Sequence, residues 1–411
     1  MRTPGLDIKK LGQQVAERLE ELGLVSDEPG RLVRTFLSPA SARANALVGG
    51  WMREAGLTVR EDNFGNLTGT RQGPSGARKL VIGSHLDTVV DAGKFDGPAG
   101  VLLGIAAAAA CPDLPFTLEV VGFSDEEGVR FQSTYLGSRA YVGKISPEEL
   151  ALRDAAGISV GELTAARLEA GFPEAGADLA NLMGYLEIHI EQGPVLEEAG
   201  LALGVVPGIA GQTRILAGFT GQAGHAGTTP MPLRRDALAA AARLVLEAES
   251  HAQLHPPLLA TVGKMEVLPG AGNVIPGQVI FTLDVRSPDN TAREAALEHL
   301  EQFGKAEAAA SRLTWHWQVK QSNPAVPCDT GLSARLTEAV AAGQPVAPRI
   351  FSGAGHDAAV LAGVGPAAML FVRCRAGLSH HPDEYASPED LIAALEAVVR
   401  FVLSLAASPY V

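Results

Sequence analysis

Five short segments of this chain hold imidazoles and carboxylates at spacings that suit metal ligation or acid–base work. Gly83-Ser84-His85-Leu86-Asp87-Thr88 carries an imidazole with a carboxylate two residues on, and Asp87 is spaced to hold the second ring N–H of His85. Phe95-Asp96-Gly97-Pro98 sets an Asp in a Gly/Pro turn ahead of a helical stretch. A turn-plus-cap role is the commoner fate of such an Asp, and a carboxylate bridging two cations is the functional reading. Ser124-Asp125-Glu126-Glu127-Gly128 aligns three acids, whose repulsion is relieved if cations or Arg130 lie nearby. Adjacent Glu126 and Glu127 can divide into a ligand and a general base. Period-two alternation sends Glu187, His189 and Glu191 to one strand face, and Ser379-His380-His381-Pro382 adds two imidazoles in a loop. Each segment alone has a bland explanation. Together they suit zinc, manganese, cobalt or nickel and supply enough carboxylates for a paired site.

The elements that must position these groups follow from periodicity. Continuous apolar runs at Lys79–Ser84, Phe116–Phe123, Tyr185–Ile190 and Ala367–Val372 read as strands buried on both faces. Helical stretches at Val101–Ala110, Thr134–Val142 and Ser159–Ala170 alternate with them, which predicts a layered α/β fold. His85, Asp87, Glu126 and Glu127 then fall just past C-terminal strand ends, the ligand-binding edge of open α/β sheets. Amphipathic helices are expected at 7–24, capped by Asp7, and at 38–55. From about Gly211 the rhythm changes to strand 213–220, helix 233–252, strands 259–267 and 278–286, helix 291–310 and strand 313–320. That order is a βαββαβ, or ferredoxin-like, unit, with the Pro-bearing stretch Gln321–Pro327 as its exit linker. The chain then reads as one domain of residues 1–210 and 323–411 with a second, 211–322, inserted.

Composition excludes several classes. At 411 residues two domains are the natural expectation. A formal charge of −13 argues against nucleic acid and anionic membranes as partners. Cys111, Cys328 and Cys374 are widely spaced and odd in number, so a reducing compartment with buried thiols is expected rather than a disulfide framework. No secretory signal pattern is read at the start, and the longest apolar run, Val101–Cys111, is too short for a bilayer. A cytoplasmic protein is the expectation.

The motifs G-S-H-L-D-T, F-D-G, D-E-E-G-V-R-F, E-I-H-I-E-Q-G-P, G-H-A-G-T-T-P-M, N-V-I-P-G, S-G-A-G-H-D-A and S-H-H-P, in this order over most of the chain, resemble the hydantoinase/carbamoylase group of amidohydrolases, relatives of the dizinc exopeptidases. The resemblance implies a layered α/β/α catalytic domain whose ferredoxin-like insert is both lid and dimerisation domain of a homodimer. It implies two divalent metal ions, one on His85, Asp96 and His189, the other on Asp96, Glu127 and His380. His380 is chosen over His381 by its place in the Ser–Pro motif. Glu126 is implied as general base, and His225 as the group polarising the scissile carbonyl in the partner subunit's site. Gln212, Asn273 and Arg286 are implied to hold the substrate, Arg286 on its α-carboxylate.

The implied activity is hydrolysis of the carbamoyl C–N bond of an N-carbamoyl-L-amino acid, releasing ammonia, carbon dioxide and the amino acid. Allantoate and β-ureidopropionate are alternative substrates of the same ureido-carboxylate class. A metal-dependent binding protein without catalysis is the alternative of a different class, and the presence of Glu126 disfavours it. Gly353–Ala358 also matches the dinucleotide pattern G-x-G-x-x-A. The strand before it is short and no acid follows at the required spacing, so that reading ranks low.

Overall fold

In the computed structural model, which describes residues 7–407, the four apolar runs become neighbouring parallel strands. Lys79–His85 lies between Thr117–Phe123 and Leu182–Ile190, and Ala367–Val372 pairs with the last of these. Antiparallel strands finish both edges: Leu67–Arg71 and Thr58–Glu61 on one side, Leu203–Val206 on the other. The Leu203–Val206 strand was not anticipated, because four residues ending at Pro207 give too short a pattern.

Side chains alternate across this seven-stranded sheet. Leu80, Ile82, Leu118, Val120, Leu186, Ile188, Ala368 and Leu370 join the main apolar core, packed under helices Ile8–Gly23, Pro98–Ala110, Thr330–Ala341 and Pro388–Ala406. The opposite face carries Phe123, Tyr185, Glu187 and His189, covered by the short helices Leu136–Tyr141 and Ala358–Leu361. Pro98–Ala110 is apolar all round, as a helix packed between sheet and outer helices must be. Asp7, Ser38 and Ser387 cap their helices, and Ser159 with Glu162 forms a reciprocal capping box. No helix among the described residues is long and apolar enough to cross a membrane.

The chain forms two compact units, one running to Pro207 and resuming at Cys328, the other Gly208–Pro327. Within the second, Gly211–Thr220 is central, flanked by Gln278–Ser287 and Thr314–Asn323, and Leu259–Thr261 with Met265–Leu268 pairs outside Gln278–Ser287. Helices Ala237–Leu254 and Asn290–Ser311 pack against this sheet. The first of these starts later than the expected residue 233. Asp236 accepts the N–H groups of Leu238 and Ala239, and Met231–Leu233 forms a separate 3₁₀ turn. The expected exit linker is instead partly strand, since Val326–Pro327 pairs with Gly208–Ile209.

Arg34 braces the loop that follows His85. It is 1% exposed, and its guanidinium donates to the carbonyls of Leu86 (2.6 Å), Val25 (3.0 Å) and Leu22 (3.2 Å). Its own amide donates to Thr88 Oγ1 and its carbonyl accepts from Thr88 N–H. Burial lowers its pKa to about 10, against the opposing pull of Asp87 and Asp27, so it stays charged. Replacing Arg34 with Met leaves the Leu86 and Val25 carbonyls without their guanidinium partner, the Leu22 carbonyl keeping the Val25 N–H, and is expected to cost about 2 kcal/mol or more. Denaturant melts of the full chain test this, and an unchanged midpoint would remove Arg34 as a brace.

Candidate metal centre

The C-terminal edge of the parallel strands gathers the polar residues. His85 ends its strand, Glu126 and Glu127 follow Phe123, His189 is the penultimate residue of Leu182–Ile190, and His380 lies in the loop after Val372. Asp96 stands between them. Its Oδ1 faces His189 Nε2 at 2.9 Å and His85 Nε2 at 4.0 Å, while its Oδ2 faces His380 Nε2 at 3.1 Å. Glu127 Oε1 lies 3.1 Å from the same His380 nitrogen. Two donor triads, His85/Asp96/His189 and Asp96/Glu127/His380, therefore share one carboxylate. Glu126 groups with His85 and Glu127.

Hydrogen bonds orient the imidazoles. His85 Nδ1 contacts the Asp87 carbonyl (3.1 Å) and His189 Nδ1 the Ile190 carbonyl (2.8 Å), which leaves each Nε2 facing the centre. The shortest Asp87 contact to His85 is thus its main chain. The Asp87 carboxylate lies 3.6 Å from the ring and accepts the N–H groups of Glu126 and Glu127. Asp96 Oδ1 is buried without a hydrogen bond of good geometry, an orphan acceptor that a cation would satisfy. Asp96 is not a helix cap, since Gly97 occupies that position without any side-chain bond.

Several acids read from sequence have other partners. Glu191 accepts from Val195 and Leu196 N–H at the start of a short helix. Glu187 accepts from Ser84 Oγ and Ala358 N–H. Arg130 forks onto Asp154 and the Phe36 carbonyl. His380 and His381 are equally exposed, but His381 accepts the Asp383 N–H while His380 Nε2 lies 3.1 Å from Asp96, so His380 is the imidazole beside Asp96. In the 352–358 loop, Ser352 Oγ meets His356 Nε2 at 2.7 Å, and only a four-residue helix follows, no dinucleotide-binding βα turn. Glu384 was not singled out. Its Oε1 accepts the N–H groups of Phe95 and Asp96, and the Ser379 hydroxyl, with one proton to share, lies 2.9 Å from its Oε2 and 3.0 Å from Asp96 Oδ2.

The electrostatics is that of a site with too many anions. Burial above all pushes the carboxyls of Glu126 and Asp125 well above their usual range, with neighbouring carboxylates adding. His85 and His189 would be driven neutral by burial, but the surrounding carboxylates win and raise both. Hydrogen bonds from its ring to the Asp96 and Glu127 carboxylates raise His380 to about 10. Asp125, Gln192 and His380 hold positive φ angles of 54°, 57° and 56°, so backbone strain collects around this edge.

The remaining sequence-assigned residues lie in the second unit. Gln212 and Arg286 are cross-strand partners, and both hold Asp284, at 2.6 Å from Gln212 and 2.9 Å from Arg286 Nε. His225 sits on a two-residue strand paired with Val274–Ile275, beside Asn273, whose carbonyl accepts from Ala226 N–H. Its Nδ1 accepts from Gly227 N–H, and its ring is exposed.

Comparison with known proteins bears on this centre. The model of the peptidase family M20/M25/M40 matches residues 81–404. An N-carbamoyl-L-amino acid amidohydrolase of Geobacillus stearothermophilus is 39% identical, covering 96% of this chain and 98% of its own. The chain is a hydantoinase/carbamoylase-type member of the M20/M25/M40 family. An allantoate deiminase of Arabidopsis thaliana is 40% identical over 96% of this chain and 82% of its own. A solved hydantoinase/carbamoylase family amidase from Burkholderia multivorans superposes with a TM-score of 0.91 at 36% identity, covering 97% of this chain and 98% of that one. The protein is accordingly an amidohydrolase acting on non-peptide C–N bonds.

Two outcomes follow for the amidohydrolase. Gly97 has φ +82°, and a Cβ there would lie 2.5–2.6 Å from the His85 ring atoms. Gly97→Ala is expected to lower zinc affinity at least roughly tenfold while far-UV circular dichroism is unchanged; wild-type affinity would refute the clash. Because His85, His189 and His380 have raised pKa values, cation uptake at neutral pH must displace protons. Calorimetry in buffers of different ionisation enthalpy should show proton release, and affinity should weaken as pH falls.

Proposed function

We propose that the enzyme hydrolyses the carbamoyl C–N bond of an N-carbamoyl-L-amino acid, using two divalent cations (zinc, manganese, cobalt or nickel). One would be held by His85, Asp96 and His189, the other by Asp96, Glu127 and His380. The observation that carries this is Asp96, with one oxygen toward each histidine set. Bound cations would acidify water and polarise the carbonyl.

The chain's own groups do the rest. Glu126, outside the Asp96 triads, takes the proton of the attacking water and returns it to the departing ammonia; the carbamate left behind breaks to carbon dioxide and the amino acid. His225 stabilises charge on the carbonyl oxygen. Arg286, steadied by Asp284, binds the α-carboxylate with Gln212 and Asn273. The inserted unit is read as a ferredoxin-like lid and dimerisation domain, a reading supported by its antiparallel sheet with two helices. Three free, buried cysteines support a cytoplasmic setting.

Allantoate is the second reading, favoured by the 40% identity to the Arabidopsis deiminase. Ammonia release from N-carbamoyl-L-amino acids, allantoate and β-ureidopropionate, before and after chelation and reloading, separates them. The highest kcat/KM is expected for a carbamoyl amino acid and none after chelation. Allantoate preference would select the second reading, and inertness with metal bound would leave a binding protein. Glu126→Gln should keep its metal and lose roughly a hundred- to ten-thousandfold in kcat; near-normal turnover removes it as base.

A further inference from the structure

A second group of imidazoles lies in the inserted unit, on its helices Ala237–Leu254 and Asn290–Ser311. Glu247 and His251 are four residues apart and share a helix face, and His299 reaches them from the other helix. The ligand atoms of Glu247, His251 and His299 all lie within 4.8 Å of one another. His299 Nε2 meets Glu247 Oε1 at 2.6 Å, and the His251 and His299 rings stack 4.4 Å apart at 16°. A third imidazole, His255, sits with its ring centre 4.3 Å from that of His251. Its Nδ1 contacts the His251 carbonyl at 2.8 Å, which turns its Nε2 away from the backbone.

Three of the chain's ten histidines thus share one patch, His251 stacked on His299 and His255 tilted against His251, with Glu247 beside them. Rings of like charge stacked this closely would repel one another. His251 fits this: burial, then His299 and His255, hold its pKa below the usual histidine value. Two imidazoles and a carboxylate are a borderline-metal donor set, and zinc–ligand bonds of about 2.0–2.2 Å need only modest rotamer closure from the present spacing. Arg243 pairs with Glu307 further along the same helices, so the frame holding the donors is already fixed.

We propose that Glu247, His251 and His299 form a zinc- or nickel-class cation site that clips the two helices of the inserted unit together, with His255 available as a further imidazole. The site is structural and independent of the Asp96 centre, with which it shares no residue. Binding replaces the proton between His299 and Glu247 by the ion and ties one helix to its neighbour.

Zinc chloride added to chelator-treated full-length protein, followed by dialysis against metal-free buffer and elemental analysis, tests this by difference. Wild type is expected to retain one more zinc per chain than His299→Gln or Glu247→Gln, with turnover of all three alike. Zinc should also slow amide exchange in 247–255 and 295–303 of wild type and not of the variants. Equal zinc content in wild type and both variants, or an extra ion lost on dialysis, overturns the proposal. Because the readout is a difference between chains with intact catalytic ligands, it stands whatever the metal count at the Asp96 centre.

Discussion

One buried carboxylate organises the edge of the seven-stranded sheet. Asp96 reaches two sets of donors with its two oxygens only because its backbone is pinned from the far end of the chain. Glu384 accepts the amides of Phe95 and Asp96, and Ser379 ties Glu384 to Asp96 in turn. The turn also requires Gly97, whose missing side chain leaves room for the His85 ring. A charge this deeply buried is costly unless countercharge arrives. The imidazoles supply it in the protonated state, and cations would supply it more fully. The same carboxylate explains the sheet edge around it: parallel strands deliver one donor each, at the level where the helix beginning at Pro98 presents Asp96.

That dependence spreads outward through backbone anchors rather than through further charges. Arg34 fastens the segment after His85 with carbonyl contacts, and Asp87 fastens the Glu126–Glu127 loop with two amide contacts. In the inserted unit Asp284 plays a comparable part for Gln212 and Arg286. Burial raises the Asp284 carboxyl, but Arg286, Gln212 and Arg214 outweigh it and keep its pKa low. Each anchor fixes a direction for a side chain that would otherwise sample several rotamers.

Much of this was legible in the sequence because it rests on local pattern. Ala367–Val372 lies where its apolar run places it, and His85, Glu126, Glu127 and His189 fall at strand ends as periodicity requires. What escaped is non-local or conformational. Glu384 looks like a surface acid after a proline, yet its partners Phe95 and Asp96 are 289 and 288 residues away in the chain. Arg34 carries no motif, and Leu203–Val206 is an edge strand too short to announce itself. The positive φ of Asp125, Gln192 and His380 has no compositional sign, since none is glycine. Adjacent His380 and His381 could be told apart by motif position alone, and their contacts now differ plainly.

The neck of the inserted unit has a consequence for how such a chain can change over evolutionary time. Gly208–Ile209 and Val326–Pro327 run side by side as a two-residue ladder, and Cys328 N–H donates to the Pro207 carbonyl just beyond it. The two points where the chain leaves and rejoins the first unit are therefore one strand spacing apart, about 4.8 Å. A segment of 120 residues, Gly208–Pro327, hangs from a gap that a tight turn could close. Loops of this unit away from His225, Gln212, Asn273 and Arg286 can change in length without altering the register of the two-residue ladder at its neck.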